Sequence, residues 1–162
     1  MKIIETKSTS ILSVLIRWAF NSKGSHILFS FDNDKWVVHS NLLGVNIRLY
    51  KNFMKSVEVV DQIEYTDLTL DAEEEIFQSL LSNTSEDSYD WPGFYYFIWR
   101  GFLFKLFKIP LPNKNAWGKA DMKLCTEMIG NLPIWLTKLP ANIDLGITTP
   151  DLAMQILKEA QK

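Results

Sequence analysis

The chain contains a single cysteine, Cys125, and two histidines, His26 and His39, in 162 residues. One cysteine excludes an intrachain disulfide framework, and no two of these residues are spaced as the close ligand pair that marks a structural zinc site. An excess of either charge is missing too. Lys and Arg number 17 against 19 Asp and Glu, a net charge of −2, which offers no electrostatic footprint for nucleic acid. No apolar run reaches comfortable membrane-spanning length. The longest, "FYYFIWRGFLFKLFKIP" from Phe94 to Pro110, carries Arg100, Lys105 and Lys108, as a transmembrane helix would not. The opening "MKIIETKSTSILSVLIRWAF" is interrupted by Arg17 and has no small-residue cleavage site after it, so no signal peptide is expected.

What is present is an ordinary globular composition, 47% hydrophobic and 22% charged, in a length that fits one domain burying roughly two-thirds of its unfolded surface. "STSILSVLIRWAFNS" sets Ile11, Leu12, Leu15 and Trp18 on one stripe after Ser8 or Thr9 as N-cap, which predicts a first helix. "SHILFSF" and "KWVVHSN" are β-rich runs joined by a tight turn at Asn33 and Asp34. "GVNIRLY" alternates Val45, Ile47 and Leu49 with polar residues, and "SVEVVDQIEY" predicts a fourth strand. "DAEEEIFQSLL" opens a second helix with Asp71 and Glu74 at capping-box spacing, and Pro92 opens an aromatic third. "DMKLCTEMIG" predicts an amphipathic helix with Asp121 as cap, stopping near "GNLP". The last helix begins with Thr149 as N-cap and Pro150 at its first position. The expectation is a single α+β domain over residues 1–162, an antiparallel sheet packed with helices.

The chemistry on offer is one thiol and two imidazoles. A cysteine becomes an effective nucleophile beside an imidazole or at a helix N-terminus. Cys125 lies about four residues into its predicted helix, where free backbone N–H groups favour an anion and can hold an oxyanion. In the predicted hairpin residue 28 faces 39 and 26 faces 41, so His26 and His39 share one face as diagonal neighbours. One imidazole can then orient the other. The same three residues also admit a buried core cysteine with two hydrogen-bonded histidines, or a Cys-His-His zinc site with an open position. The segment from Phe94 to Phe107 fits either a buried helix with snorkelling cations or a contact with a membrane surface or a protein.

"SHILFSFDNDKWVVHSNLLGVNI" resembles the stretch of permuted papain-like enzymes of the NlpC superfamily in which Ser-His begins a strand and a hairpin leads to a Gly-Val turn. "YDWPGF" and "LCTEMIG" follow in that family's order, with the histidine ahead of the cysteine, and the similarity runs from about residue 8 to residue 157. The chain departs from the pattern in the bulky Ile27, Leu28 and Phe29 after Ser-His, and in Lys123 and Leu124 before the cysteine. The resemblance implies a permuted papain-like fold and a cysteine amidase or peptidase that needs no cofactor and no metal. Cys125 matches the nucleophile, His26 the general base and His39 a polar orienting residue. Tyr89 matches a cleft or oxyanion residue. Thr126 and Glu127 match the residues after the nucleophile, where helix hydrogen bonding and packing are expected, Thr126 alongside Tyr89 on the substrate side. The implied substrates are peptide amides or peptidoglycan, in a phage or bacterial setting, with a cytoplasmic or virion-associated location. Lipid acyltransferases and phospholipases of the lecithin-retinol acyltransferase group share the His-His-Cys order, but this chain has "LCTEMI" where they have Asn-Cys-Glu-His-Phe. A catalytically silent virion module is the remaining alternative.

Overall fold

A computed structural model of the chain describes residues 1–41, 44–82, 90–112, 114–117, 125–139 and 143–161. At its centre is a five-stranded antiparallel sheet in the spatial order β4-β3-β2-β1-β5. The strands are β1 (Lys2–Lys7), β2 (His26–Phe31), β3 (Trp36–Asn41), β4 (Gly44–Leu49) and β5 (Glu58–Glu64). The α-helices are α1 (Ile11–Phe20), α2 (Tyr50–Phe53), α3 (Leu70–Ser82), α4 (Trp91–Phe107), α5 (Ile134–Thr137) and α6 (Pro150–Ala160), with 3₁₀ turns at Met54–Ser56, Glu127–Asn131 and Leu145–Ile147. The α+β class with an antiparallel sheet is as the sequence predicts.

One strand escaped the sequence reading. β1 lies inside the sheet between β2 and β5, so the predicted fourth strand sits at the far edge beside β1 instead of following β4. Ile3, Ile4, Glu5 and Thr6 are all buried, and a strand covered on both faces loses the period-two alternation by which strands are recognised.

The β2–β3 hairpin has the predicted register, with Phe29 opposite Val38 and Phe31 opposite Trp36. Its loop is four residues, Asp32–Lys35, rather than two. Asp32, Asn33 and Asp34 adopt left-handed φ of 53°, 50° and 65°, a conformation that Asn and Asp tolerate best among residues with a side chain. A symmetric lengthening leaves every side chain on its expected face. One face of the sheet packs Ile3, Ile27, Phe29 and Val38 against Ile76, Leu80, Met128, Ile129, Met154 and Leu157. The other packs Ile4, Leu28 and Val37 against Phe53, with Tyr50, Met54 and Val57 around it.

α1 and α4 pack side by side. Phe94 meets Leu12, Ile16 and Ile98, and Phe20 stacks on Phe97 with centroids 4.0 Å apart. Gly101 permits this approach, since a Cβ there would lie 2.6 Å from Phe20 Cζ. The predicted α1 stripe holds in part: Leu12 packs on Phe94 and Leu15 is half-buried, but Ile11 is 86% exposed and Trp18 is exposed as well, while Ser13 and Ala19 are buried. Two caps also move, and the start of α4 shifts by one residue. Ser10, not Ser8 or Thr9, caps α1 by accepting from Ser13 N–H. Thr69, not Asp71, accepts from Ala72 N–H at the start of α3. Asp90 caps α4 by accepting from Gly93 N–H, which places Pro92 second in the helix after Trp91. Thr149 caps α6 as predicted.

Candidate active site

His26 is the first residue of β2 and pairs with Thr6 across the ladder, while His39 on β3 pairs with Asn46. The register puts both side chains on the Leu28–Val37 face, where Phe53 lies beneath them, its ring 4.6 Å from that of His39 and 6.5 Å from that of His26. The imidazoles meet edge to face, His26 Nε2 lying 3.2 Å from His39 Nδ1. The predicted diagonal juxtaposition is a hydrogen bond. His39 is 3% exposed, and its Nε2 is buried without a partner among the described residues.

The segment that delivers His26 is clamped from behind. Asp151, in the first turn of α6, accepts from Lys23 N–H, Gly24 N–H and Ser22 Oγ–H, and Ser25 N–H donates to Thr6 O at 2.9 Å. Ser25 Oγ and Ser13 Oγ form a buried pair 2.6 Å apart. The sequence marks this clamp only by an Asp near a helix N-terminus, a common capping signal that names no distant partner.

Cys125 does not stand four residues into an α-helix. It occupies a turn two residues ahead of the 3₁₀ turn Glu127–Asn131, for which Thr126 is the N-cap residue; residues 121–124, including the predicted cap Asp121, lie outside the described ones. Met128 and Ile129 are fully buried against the sheet, each burial contributing about 1.5–3 kcal/mol. Thr126 Oγ1 donates to Leu145 O at 2.8 Å, so the Thr126 hydroxyl holds two turns together. Asp144 accepts from Gly146 N–H and Asn115 N–H, and Asn115 Nδ2 reaches Gly93 O and Gly146 O. The Cys125 turn is thereby tied to the start of α4. Tyr89 lies outside the described residues.

Cys125, His26 and His39 line one cleft of about 350 Å³, walled also by Leu12, Ser13, Ile16, Ser25, Phe53 and Phe94. No family model, curated protein or solved structure matches the chain. The electrostatics of the cleft therefore rest on its own residues. Burial pushes the Cys125 thiol up to about 11, against a smaller pull downwards from the Ile27 and Thr126 backbone. Burial lowers His26 to about 4, and burial with the neighbouring His26 lowers His39 to about 3. At neutral pH the group is a thiol and two neutral imidazoles, not a thiolate–imidazolium pair. Among the described residues the hydrogen bond formed is the one between the imidazoles, and none joins the thiol to either ring. Nor do three His, Cys, Asp or Glu side chains among the described residues group so as to hold a metal ion.

Proposed function

We propose that the protein is a cysteine acyl hydrolase of permuted papain-like organisation, acting on amide or ester carbonyls through Cys125, His26 and His39. The observation that carries this reading is the 3.2 Å imidazole pair in the same cleft as the chain's one thiol. If His26 Nε2–H donates to His39 Nδ1, His26 Nδ1 keeps a free lone pair. That is the state a general base needs. A neutral His39 accepts from the imidazolium formed during reaction without the stronger stabilisation a carboxylate would give, consistent with the low basicity of His26 at rest.

In the proposed step the Cys125 Sγ–H proton passes to His26 Nδ1 as Sγ bonds to the carbonyl carbon, and the carbonyl π electrons move to oxygen. Collapse of this intermediate re-forms the carbonyl, breaks the bond to the amine or alcohol, and returns the proton from His26 to the leaving group. Water then bonds to the thioester carbonyl carbon as His26 Nδ1 takes its proton, and collapse breaks the C–S bond, releases the carboxylic acid and returns that proton to Cys125 Sγ. Leu12, Ile16, Phe53 and Phe94 provide apolar wall for an acyl or side-chain group, and Ser13 and Ser25 provide hydroxyls. A peptide or acyl amide suits such a lining.

The test is covalent trapping. The native chain is incubated with p-nitrophenyl acetate and p-nitrophenyl hexanoate, digested and analysed by mass spectrometry. We expect one acyl group on Cys125, formed at least about 10²-fold more slowly in His26→Ala. Equal labelling of native and urea-unfolded protein, or labelling indifferent to His26, would make the cysteine packing material in a catalytically silent module.

A further inference from the structure

α1 and α4 expose more apolar surface than their packing requires. On α1 the exposed side chains Ile11, Val14 and Trp18 follow helical spacing. On α4 Trp91, Tyr95, Trp99 and Leu106 do the same, Tyr95, Trp99 and Leu106 each being more than half exposed. These rows adjoin. Trp18 meets Phe102 with centroids 5.1 Å apart, and Lys105 Nζ lies 6.0 Å from the Trp18 ring centre. Leu12 and Ile16 meet Phe94 earlier along both helices, so the two run in the same sense.

The exposed charge on the two helices is of one sign. α1 carries Arg17, α4 carries Arg100 and Lys105, Lys108 caps α4, and neither helix contains Asp or Glu, the N-cap Asp90 of α4 being fully buried, in a chain whose net charge is −2. We propose that the α1–α4 face is a docking surface for an anionic lipid bilayer, its Trp, Tyr and Leu side chains entering the headgroup boundary and its cations meeting lipid phosphates. Aromatic rings interleaved with long cations match such an interface, where ring and stem are buried and the charge stays in water. A second copy fits less well, because two such faces pressed together would oppose like charges. The inner sides of the same helices wall the cleft through Leu12, Ile16 and Phe94, so docking brings one wall of the candidate active site to the membrane. Docking is independent of the acyl-transfer reading.

The experiment uses the full chain with vesicles of phosphatidylcholine alone and of phosphatidylcholine with phosphatidylglycerol at 7:3, read by co-sedimentation and by tryptophan quenching with brominated lipid. Binding is expected to the anionic vesicles, to weaken as salt rises, and to fall by about tenfold or more in Trp99→Glu/Leu106→Glu and in Lys105→Glu/Lys108→Glu. Circular dichroism checks that these surface variants keep the fold. Cys125→Ser should bind as the parent does, which separates failure of docking from failure of the acyl-transfer reading. No binding to either vesicle, equal binding by the Glu variants, or a dimer in solution that the Glu variants dissociate would overturn the proposal.

Discussion

A thiol raised to about 11 in the same cleft as an imidazole lowered to about 4 does not rest as an ion pair at neutral pH. On the proposed function, reactivity would come from proton transfer during attack, with His26 as the base and His39 in a supporting part. His39→Ala would leave His26 Nε2 without its 3.2 Å partner. We expect acylation of Cys125 in that variant to slow by about tenfold, the value of one lost buried hydrogen bond, against about 10²-fold or more for His26→Ala. His39→Asn, which restores an acceptor, should recover part of the loss. Comparing burst rates in the three variants checks this ranking.

At the scale of elements, two contacts hold the cleft in shape. Gly101→Ala places a Cβ 2.6 Å from Phe20 Cζ, so the Phe20 ring must leave its stack on Phe97 or α1 and α4 must part. The expected cost is about 1–3 kcal/mol, seen as a Tm lower by roughly 2–12 °C in a chain of this length. Ile129→Ala empties a fully buried position under the Cys125 turn and should cost about 2–5 kcal/mol in urea unfolding. Much of this architecture was legible in advance. The hairpin register and the His26–His39 pairing follow from strand period and turn position, which are local, and Thr149–Pro150 carries a local cap signal. Three features were hidden because they depend on distant partners. β1 is covered on both faces, so Ile3 and Ile4 show no alternation. The Cys125 segment has helical periodicity, yet from Glu127 to Asn131 it forms a 3₁₀ turn whose neighbour Thr126 bonds to Leu145, a partner that local pattern does not name. The α1 stripe is split, Ile11 and Trp18 facing outwards while Leu12 packs with Ile16 on Phe94, a partner distant in sequence that local periodicity does not name.

For the whole molecule, the buried carboxyl of Glu5 links folding to pH. Glu5 is 2% exposed on β1 and is pushed up to about 8 by burial and by its hydrogen bond and proximity to Asp151, which is itself held below its ordinary value by the Glu5, Gly24, Lys23 and Ser22 hydrogen bonds. The pair carries one proton. Between about 4.5, the ordinary value of Glu5, and about 8, the folded chain keeps a proton that the unfolded chain has lost. Stability therefore falls as pH rises through this window and levels off above it. Asp151 acts oppositely, its contribution being lost only as pH falls through its lowered value. We expect Glu5→Gln to flatten the decline and to raise Tm at pH 9 by at least about 3 °C, with little change at pH 4.5. Asp151 also holds Ser22, Lys23 and Gly24 just ahead of His26.

The most direct measurement is the pre-steady-state release of p-nitrophenol from p-nitrophenyl acetate, followed at its isosbestic wavelength from pH 3.5 to 11 in the parent protein and in His26→Ala. With His26 as a neutral base titrating at about 4 and the free thiol at about 11, the parent rate should rise near pH 4 and hold a plateau to about pH 9. The variant should lose that plateau and react only as the thiol ionises. Superimposable curves for the two proteins, both climbing only towards pH 11, would contradict a Cys125–His26 acyl-transfer pair.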